Sequence, residues 1–401
     1  MSREEAGAEA GSSAQLPAAV LAPQLEALAS QGLLRSRRLL QSPQQAQATV
    51  DGRQLVAFCS NDYLGLAADP RLRDAVIEGV HRYGVGAGAS HLILGHSTAH
   101  HQLEAALAAF VSLPRALLFS TGYMANLGVV TALVGRGDAV FADRLNHASL
   151  NDAAQLSRAE FKRYVHGDLA MLERALAAHP ARRKLVISDA VFSMDGDIAP
   201  VAALLELCER HDAWLLLDDA HGFGVLGKTG GGVLQHYGIA SERIIYMATL
   251  GKAAGVSGAF VAAAPFVIEW LVQRARPYIY TTATPPLLAH ALLKSLEIIA
   301  AGSDLRARLA VSIASFRQGC DGLPWRLMPS DTAIQPLVIG GSEAAVQVAE
   351  ALAARGLLVP AIRPPTVPDG TARLRVSLSA EHQPEQIDQL LRALHAIGAA
   401  S

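Results

Sequence analysis

Short apolar runs alternate with longer segments of helical periodicity from about residue 50 onward. The apolar runs predict strands over 116–119, 139–142, 185–188, 213–217, 243–248 and 258–263. Several runs are continuously apolar rather than alternating, which is typical of strands that are covered on both faces in a parallel sheet. The pattern therefore predicts a large α/β domain over residues 51–285, built on a mostly parallel central sheet.

The pattern changes at the Pro285-Pro286 pair. Beyond it the sequence predicts a helix over 287–320 and short strands over 334–339 and 372–377. It also predicts a last helix that reaches Ile397, with apolar positions at i, i+3, i+4 and i+7. This mixture predicts a smaller C-terminal α+β domain over residues 286–401.

Residues 1–50 are expected to form an N-terminal arm. Its first part is rich in Ala, Gly, Ser and Glu, and residues 21–40 are predicted as a helix that ends in a basic run with Arg35. The beginning of the chain has no apolar segment of the kind that directs secretion, so we expect a cytoplasmic protein.

Composition limits the classes of protein that the chain can belong to. With 401 residues, 51% hydrophobic and 17% charged, the chain is expected to fold around a large core. The net charge of -2 does not favour a nucleic-acid partner. The uncharged stretch 116–135 is interrupted by polar residues and predicts a buried strand, turn and helix rather than a membrane span. Three distant cysteines predict neither a disulfide framework nor a metal site.

Polar and reactive side chains follow five of the predicted strands. They are Ser120 to Gly122, Asp143 with His147, Asp189 with Ser193, Asp218 with His221, and Thr249 with Lys252. Ligands of an open parallel sheet bind beyond the carboxyl ends of the strands. We therefore expect these side chains to lie close together at one edge of the sheet.

Lysine usage points to Lys252. The chain has five lysines against 29 arginines, so a retained lysine is a candidate for chemistry that arginine does not support, such as imine formation. Lys252 follows a buried strand and is flanked by small residues, and an apolar setting lowers the pKa of such an amine. The alternative is a lysine at the end of a strand that extends to water.

Asp218 and the segment that begins at Ser120 add the other parts of a site. Asp218 is either a turn residue or a buried carboxylate. The attraction between such a carboxylate and a protonated pyridine nitrogen about 4 Å away would be about 4 kcal/mol at an effective dielectric of 20. Ser120 to Tyr123 open a predicted helix, whose free N–H groups suit a phosphate, although an ordinary helix cap is the alternative. With the lysine, this is the pattern of pyridoxal 5'-phosphate (PLP) sites.

Two other patterns favour structural interpretations. The glycine-rich segment 84–90 follows a predicted helix rather than a strand, which argues against a dinucleotide fingerprint and hence against a nicotinamide dehydrogenase. The histidines of the segment 96–101 have no second group of acids or thiols at a suitable spacing, so we expect no metal there and interpret the segment as the start of a helix.

Several segments together resemble the α-oxoamine synthases, fold-type-I PLP enzymes that join an amino acid to an acyl thioester with loss of CO2. The resemblance rests on SNDYLGL (60–66), FADRLNHASL (141–150), VFSMDGD (191–197), LLLDDAHGFGVLG (215–227), TLGKAAGVSGAF (249–260) and PPTVPDGTARLRVSLSAEH (364–382). The segment 89–97 departs from the form that is usual in the family, with Leu94 at a position where a small polar residue is common.

The resemblance assigns roles to individual residues. It implies that Lys252 carries the cofactor and acts as acid and base at the substrate Cα, that Asp218 pairs with the pyridine nitrogen, and that His147 stacks on the ring. The remaining implied contacts are His221 and Ser193 to the cofactor, Gly122, Tyr123 and Thr249 at its phosphate, Arg375 at the amino-acid carboxylate, and Arg35, Arg363 and Thr366 on the acyl side.

The member of the family that this chain resembles most condenses L-alanine with a pimeloyl thioester, carried by CoA or by a carrier protein, in biotin biosynthesis. The alternative within the family is the condensation of glycine with a short acyl-CoA, and a non-catalytic PLP-fold subunit is a further alternative. The resemblance also implies a homodimer with shared active sites, in which the segment 84–90 reaches the neighbouring site.

Overall fold

The computed structural model describes residues 17–400, and the chain divides into two compact units between Leu40 and Gln41. In the first unit the helix α1, Pro17–Ser30, stops well before the basic run that includes Arg35. The expectation of a helix up to residue 40 is therefore wrong. Gly32 has a φ of 65°, and glycine in this conformation commonly ends a helix. The domain limits expected at residues 50 and 285 stay a prediction.

The second unit alternates helices and strands. Its helices are α2 Pro70–Tyr83, α3 Thr98–Phe110, α4 Gly122–Leu133, α5 Ala148–Ser157, α6 Leu169–Ala178, α7 Val201–Arg210, α8 Val233–Tyr237, α9 Pro265–Arg274, α10 Arg276–Ile279, α11 Pro286–Ala301, α12 Ser303–Gly319, α13 Ser342–Ala354 and α14 Pro384–Gly398, with a π-helical turn at His91–Gly95. Its strands are β1 Gln47–Val50, β2 Arg53–Ala57, β3 Arg115–Phe119, β4 Ala139–Asp143, β5 Glu160–Tyr164, β6 Lys184–Asp189, β7 Ala213–Asp218, β8 Ile244–Thr249, β9 Ala259–Ala263, β10 Arg326–Leu327, β11 Ile334–Gly340, β12 Leu357–Leu358, β13 Ala361–Ile362 and β14 Ala372–Ser377.

A seven-stranded sheet forms the centre of this unit, in the order β3-β9-β8-β7-β6-β4-β5. The strands from β8 to β5 are parallel, and β9 runs antiparallel to both of its neighbours. The mostly parallel sheet expected from the sequence is therefore confirmed. The sequence pattern missed β5 because this edge strand carries mainly exposed or half-buried side chains and has no apolar run.

Both faces of the sheet are buried, which explains the continuous apolar runs. In β7, Leu215 and Leu217 belong to one large apolar cluster and Leu216 belongs to another on the opposite face. All three side chains are fully buried. Each fully buried leucine contributes roughly 1.5–3 kcal/mol relative to an exposed one, so an alternating polar pattern would be costly here.

The C-terminal part contains an antiparallel sheet in the order β10-β11-β14-β13, together with α13 and α14. The helix expected over 287–320 is two helices, α11 and α12, which are separated at Gly302. Glycine is a poor residue inside a helix, which explains the break at Gly302. A third sheet pairs β1 with β2, and β2 with β12.

Among residues 17–400 no helix has the length and apolar character that crossing a membrane requires.

Candidate active site

The carboxyl ends of five strands meet at one edge of the central sheet. Because β3 and β8 are both antiparallel to β9, β3 points the same way as the parallel strands. A cavity of about 200 Å³ lies at this edge. It is lined by Gly122, Tyr123, His147, Ser149, Asp189, Val191, Ser193, Asp218, Ala220, His221, Met247, Thr249 and Lys252. The structure thus brings together side chains that the sequence placed after five separate strands.

Lys252 lies in the turn that follows β8 and lines this cavity. Burial lowers the pKa of Lys252 to about 8, although Asp218 and Asp189 oppose this shift by favouring the ammonium. The Nζ atom lies 2.8 Å from Nε2 of His221. With this pKa about one tenth of the amine is in the neutral, nucleophilic form at pH 7, far more than for a lysine in water.

His221 connects Lys252 to a second set of polar groups. Its Nδ1 lies 2.6 Å from the hydroxyl of Tyr63, which in turn lies 3.1 Å from Oδ1 of Asn61. Burial, with the charge of Lys252 as the next cause, holds the pKa of His221 well below its usual value. His221 is thus a neutral imidazole, which donates through one ring nitrogen and accepts through the other.

Asp218 ends β7 and is 6% exposed. Its Oδ2 accepts a hydrogen bond from Nδ2 of Asn126 at 2.7 Å, and its Oδ1 accepts from the N–H of Ala220 at 3.1 Å. Within residues 17–400 it forms no ion pair. The carboxylate is therefore held by neutral donors only, and its charge is available to a cation in the cavity.

Asp189 lies beside Asp218 in the sheet and positions the segment that carries His147. Its carboxylate accepts from the backbone N–H of His147 at 3.2 Å, and its own N–H donates to Asn146 at 3.0 Å. Burial, and then the charge of Asp218, raise the pKa of Asp189 well above its usual value. The Nδ1 of His147 lies 2.8 Å from Oγ of Ser149.

The beginning of α4 forms another wall of the cavity. Thr121 caps this helix by accepting from the N–H of Met124 at 3.1 Å. A Cβ added to Gly122 would lie in ordinary van der Waals contact with Met247 and Thr249, at 3.7 Å or more, so this position is not crowded. Uncapped N–H groups and the helix dipole make such a position suitable for a phosphate.

PLP places three requirements on a binding site. The group needs a buried amine, an acceptor for its ring nitrogen, and an anion site for its phosphate. Lys252, Asp218 and the N-terminus of α4 line the same cavity and supply these three features. The residues present therefore fit the cofactor.

Comparison with known proteins places the chain in a family. The family model of class I and II aminotransferases matches residues 53–394. The chain belongs to this family. Its cofactor is PLP, and the expectation of a fold-type-I PLP enzyme is confirmed.

Individual relatives show which enzymes of this family the chain is similar to. The chain is 66% identical to the 8-amino-7-oxononanoate synthase of Nitrosospira multiformis, over 93% of this chain and 94% of that one. Among solved structures it resembles serine palmitoyltransferase from S. paucimobilis with bound PLP and myriocin, with 31% identity, coverage of 96% and 98%, and a TM-score of 0.89. It also resembles the 8-amino-7-oxononanoate synthase of Francisella tularensis, with 32% identity, coverage of 86% and 98%, and a TM-score of 0.76.

Arg375 lies next to the cavity rather than among the residues that line it. Its Nε donates to the carbonyl of Ser193 at 2.5 Å, and its Nη atoms contact Ser377 at 2.9 Å and Asn61 at 3.3 Å. The side chain is buried, and no carboxylate within residues 17–400 pairs with it. A buried guanidinium with only neutral acceptors is suited to an anionic ligand.

Of the residues expected on the acyl side, Arg363 and Thr366 are not among those that line this cavity. Arg363 is half-buried and Thr366 is exposed, in the segment between β13 and β14. Arg35 belongs to the N-terminal unit, which is described by itself. The roles of these three residues stay predictions.

Sequence reasoning missed several residues that hold the site. Asn126 and Ser149 are hydrogen-bonded to each other at 2.9 Å behind Asp218. Asn126 is four residues beyond Gly122 in the same helix, and this spacing places both on one face. Asn61 and Tyr63 fall in the SNDYLGL segment that carries part of the family resemblance, so they were within reach of a closer comparison.

Proposed function

We propose that this chain condenses L-alanine with a pimeloyl thioester to give 8-amino-7-oxononanoate, CO2 and free thiol in biotin biosynthesis. The observation that carries the proposal is one cavity that combines Lys252 and Asp218, with the guanidinium of Arg375, which has only neutral acceptors, beside it. The 66% identity to a synthase of this name supports the choice of product.

Each of these residues has a defined task in the proposed reaction. PLP, when bound, supplies an electron sink for the substrate carbanion. Lys252 takes the proton from Cα of alanine and returns one at the end, for which a pKa of about 8 suits neutral conditions. Asp218 would stabilise the positive charge of the pyridine nitrogen of bound PLP. Arg375 binds and orients the alanine carboxylate.

The bonds made and broken balance. A new bond joins Cα of alanine to the carbonyl carbon of the thioester, whose carbon–sulfur bond breaks so that the thiol leaves. The alanine carboxylate then leaves as CO2, and a proton takes its place on Cα. The neutral His221, 2.8 Å from Nζ of Lys252, is placed to hold the amine in position between these proton transfers.

Product identification tests the proposal. PLP-loaded protein is mixed with L-alanine and pimeloyl-CoA, and the products are identified by mass spectrometry. We expect the amino ketone, CoA and CO2 in equal amounts. We expect little turnover in a reaction of glycine with acetyl-CoA or succinyl-CoA. Faster turnover with glycine and a short acyl-CoA would favour the alternative within the family and refute this proposal. A parallel reaction with a pimeloyl-carrier protein compares the two thioester carriers.

The proposal includes a cytoplasmic homodimer with shared active sites. Apolar side chains exposed in the single chain support the dimer, since Ile93 and Leu94 are 80% and 85% exposed. Analytical ultracentrifugation of the PLP-loaded protein is expected to give a dimer. A monomer with full activity would refute this part of the proposal.

A further inference from the structure

We propose that His91, His96 and His100 form a binding site for a divalent transition-metal ion of the zinc class, separate from the catalytic cavity. One potential ligand atom from each of these side chains lies within 4.8 Å of the other two. None of the three residues lines the cavity that contains Lys252. The sequence analysis set aside a metal for the segment 96–101, and the structure changes the set by adding His91 and leaving out His101.

The local backbone explains why His91 joins the group. The π-helical turn His91–Gly95 and the start of α3 bring residues 91, 96 and 100 to one place. Nδ1 of His91 lies 3.1 Å from Nδ1 of His96. Zinc–nitrogen distances of 2.0–2.1 Å in a tetrahedral site put two ligand nitrogens about 3.4 Å apart. The separation of 3.1 Å is that of a hydrogen bond between the two rings and is close to that of two ligands of one ion, which would replace this hydrogen bond.

The third ligand, His100, has other partners. Its Nε2 lies 2.8 Å from the carbonyl of Thr284, and its Nδ1 lies 2.9 Å from Oγ of Ser97. Nδ1 of His100 also accepts from the N–H of Ser97 at 3.1 Å. Binding of the ion through Nδ1 therefore requires loss of both contacts with Ser97, and binding through Nε2 requires loss of the contact with Thr284. Completion of the site thus depends on a change in the hydrogen bonds of His100.

Burial keeps the rings of the cluster unprotonated near neutral pH. Burial lowers the pKa of His91 to about 3, and it also lowers the pKa values of His96 and His100. All three rings are therefore neutral, which is the form that binds transition metals, and imidazole suits zinc, copper and nickel.

Glu104 provides a carboxylate behind the cluster. Its Oε2 lies 3.9 Å from Nε2 of His96, the ring nitrogen opposite the one that faces His91. Its Oε1 accepts from the N–H of Leu118 at 3.0 Å, which fixes the side chain. A carboxylate that accepts a hydrogen bond from a metal-binding histidine orients the ring and strengthens the ligand. Burial raises the pKa of Glu104 to about 7, so it would take this role on binding of the ion, by ionising and moving closer than 3.9 Å.

The competing explanation is that the rings pack as an ordinary aromatic core. His91 stacks on Tyr278 with ring centroids 4.9 Å apart and an angle of 12° between the planes. Such packing accounts for the burial of His91 without an ion. Glu104 likewise has a structural partner in the N–H of Leu118, but such packing predicts no selective affinity for metals.

Metal titration of the complete enzyme separates the two explanations. Tag-free, PLP-loaded protein is stripped with a chelator and titrated with Zn²⁺ in competition with a chromophoric chelator. We expect one high-affinity equivalent per chain, no comparable binding of Mg²⁺, and a rise in Tm when Zn²⁺ is added. Saturation of the catalytic cavity with PLP reduces binding of Zn²⁺ there.

Four variants locate the site. His96→Ala and His91→Phe are expected to lose the high-affinity equivalent, and Glu104→Gln is expected to weaken it by about 10- to 100-fold. His101→Ala is the matched control, since His101 is exposed, neighbours the cluster in α3 and is outside the group. His96 is partly exposed, so its variant tests the site even if His91→Phe does not fold. Absence of Zn²⁺ binding by the parent protein, or equal binding by His96→Ala, would overturn the proposal.

Discussion

Replacement of Asp218 by asparagine removes one negative charge from the cavity and leaves the shape of the side chain almost unchanged. In the parent protein Asp218 accepts hydrogen bonds from Asn126 at 2.7 Å and from the N–H of Ala220 at 3.1 Å. Oδ1 of Asn126 is buried and has no hydrogen-bond partner. If the Asn126 amide turns over, this oxygen can accept from the new amide group, so we expect Asp218→Asn to fold and to retain PLP.

The size of the effect follows from burial and charge. Two unit charges about 4 Å apart interact by about 4 kcal/mol at an effective dielectric of 20, and by only about 1 kcal/mol in bulk water. Asp218 is 6% exposed and has only neutral partners, so the larger value applies. About 4 kcal/mol corresponds to roughly three pK units at the cation that faces it, and hence to a roughly thousandfold slower removal of the proton from Cα of alanine.

Deuterium uptake at Cα of L-alanine measures the removal of the Cα proton without the later steps of the reaction. The assay contains PLP-loaded protein in D2O without any thioester, and bound PLP is quantified separately. Asp219→Asn is the matched control, because Asp219 is also buried but bonds to Val233 and Tyr246 rather than lining the cavity. We expect this control to lose stability and to exchange at close to the parent rate. An exchange rate of Asp218→Asn within tenfold of the parent would refute the reasoning.

Three further predictions concern other parts of the site. Lys252→Ala is expected to abolish turnover, and borohydride should no longer attach PLP to a peptide of the protein as it does in the parent. Lys228→Ala, which changes an exposed lysine, should keep both properties. Arg375→Lys keeps the charge but loses the forked geometry, so the KM for alanine should rise by about 10- to 100-fold with little change in the KM for the thioester; equal changes in both constants would contradict a role at the carboxylate. Contacts with two carboxylates, Asp143 and Asp197, raise the pKa of His166 from 6.5 to about 10, so its contribution to stability is complete below pH 6.5 and is lost as the pH rises towards 10. Because His166 is about one third exposed, the free energy of unfolding of the parent should exceed that of His166→Gln by only about 1–2 kcal/mol at pH 6. Chemical denaturation at several pH values should show that this difference shrinks as the pH rises.

The edge of the sheet where the site lies was predictable from the sequence alone. Fully buried strands leave continuous apolar runs, and the first polar residues after each run mark the carboxyl end of the strand. Asp218, Thr249 and Lys252 were found in this way, and all three line the cavity. Chain direction then forces these ends together, so no knowledge of side-chain packing was needed.

The contacts that join the site to the rest of the fold were not predictable in this way. Arg375 and Asn61 are 314 residues apart in sequence, and they meet because β14 and the segment before Tyr63 approach each other in the folded chain. Periodicity describes one element at a time and carries no information on which distant elements meet. Only the family resemblance pointed to Arg375, and it gave no neutral partners for its guanidinium.

The amine of Lys252 shows why local patterns are insufficient for the chemistry. Its pKa of about 8 is the difference between burial, which lowers it, and the charges of Asp218 and Asp189, which raise it. The two aspartates pair in register on β7 and β6, so the sheet fixes their positions relative to each other, whereas the turn after β8 carries the amine. Loss of either charge would lower the pKa of the amine further and would at the same time relieve the repulsion between the two carboxylates. The sheet therefore couples the basicity of Lys252 to the charge of its neighbours, and the sequence shows these groups without showing their balance.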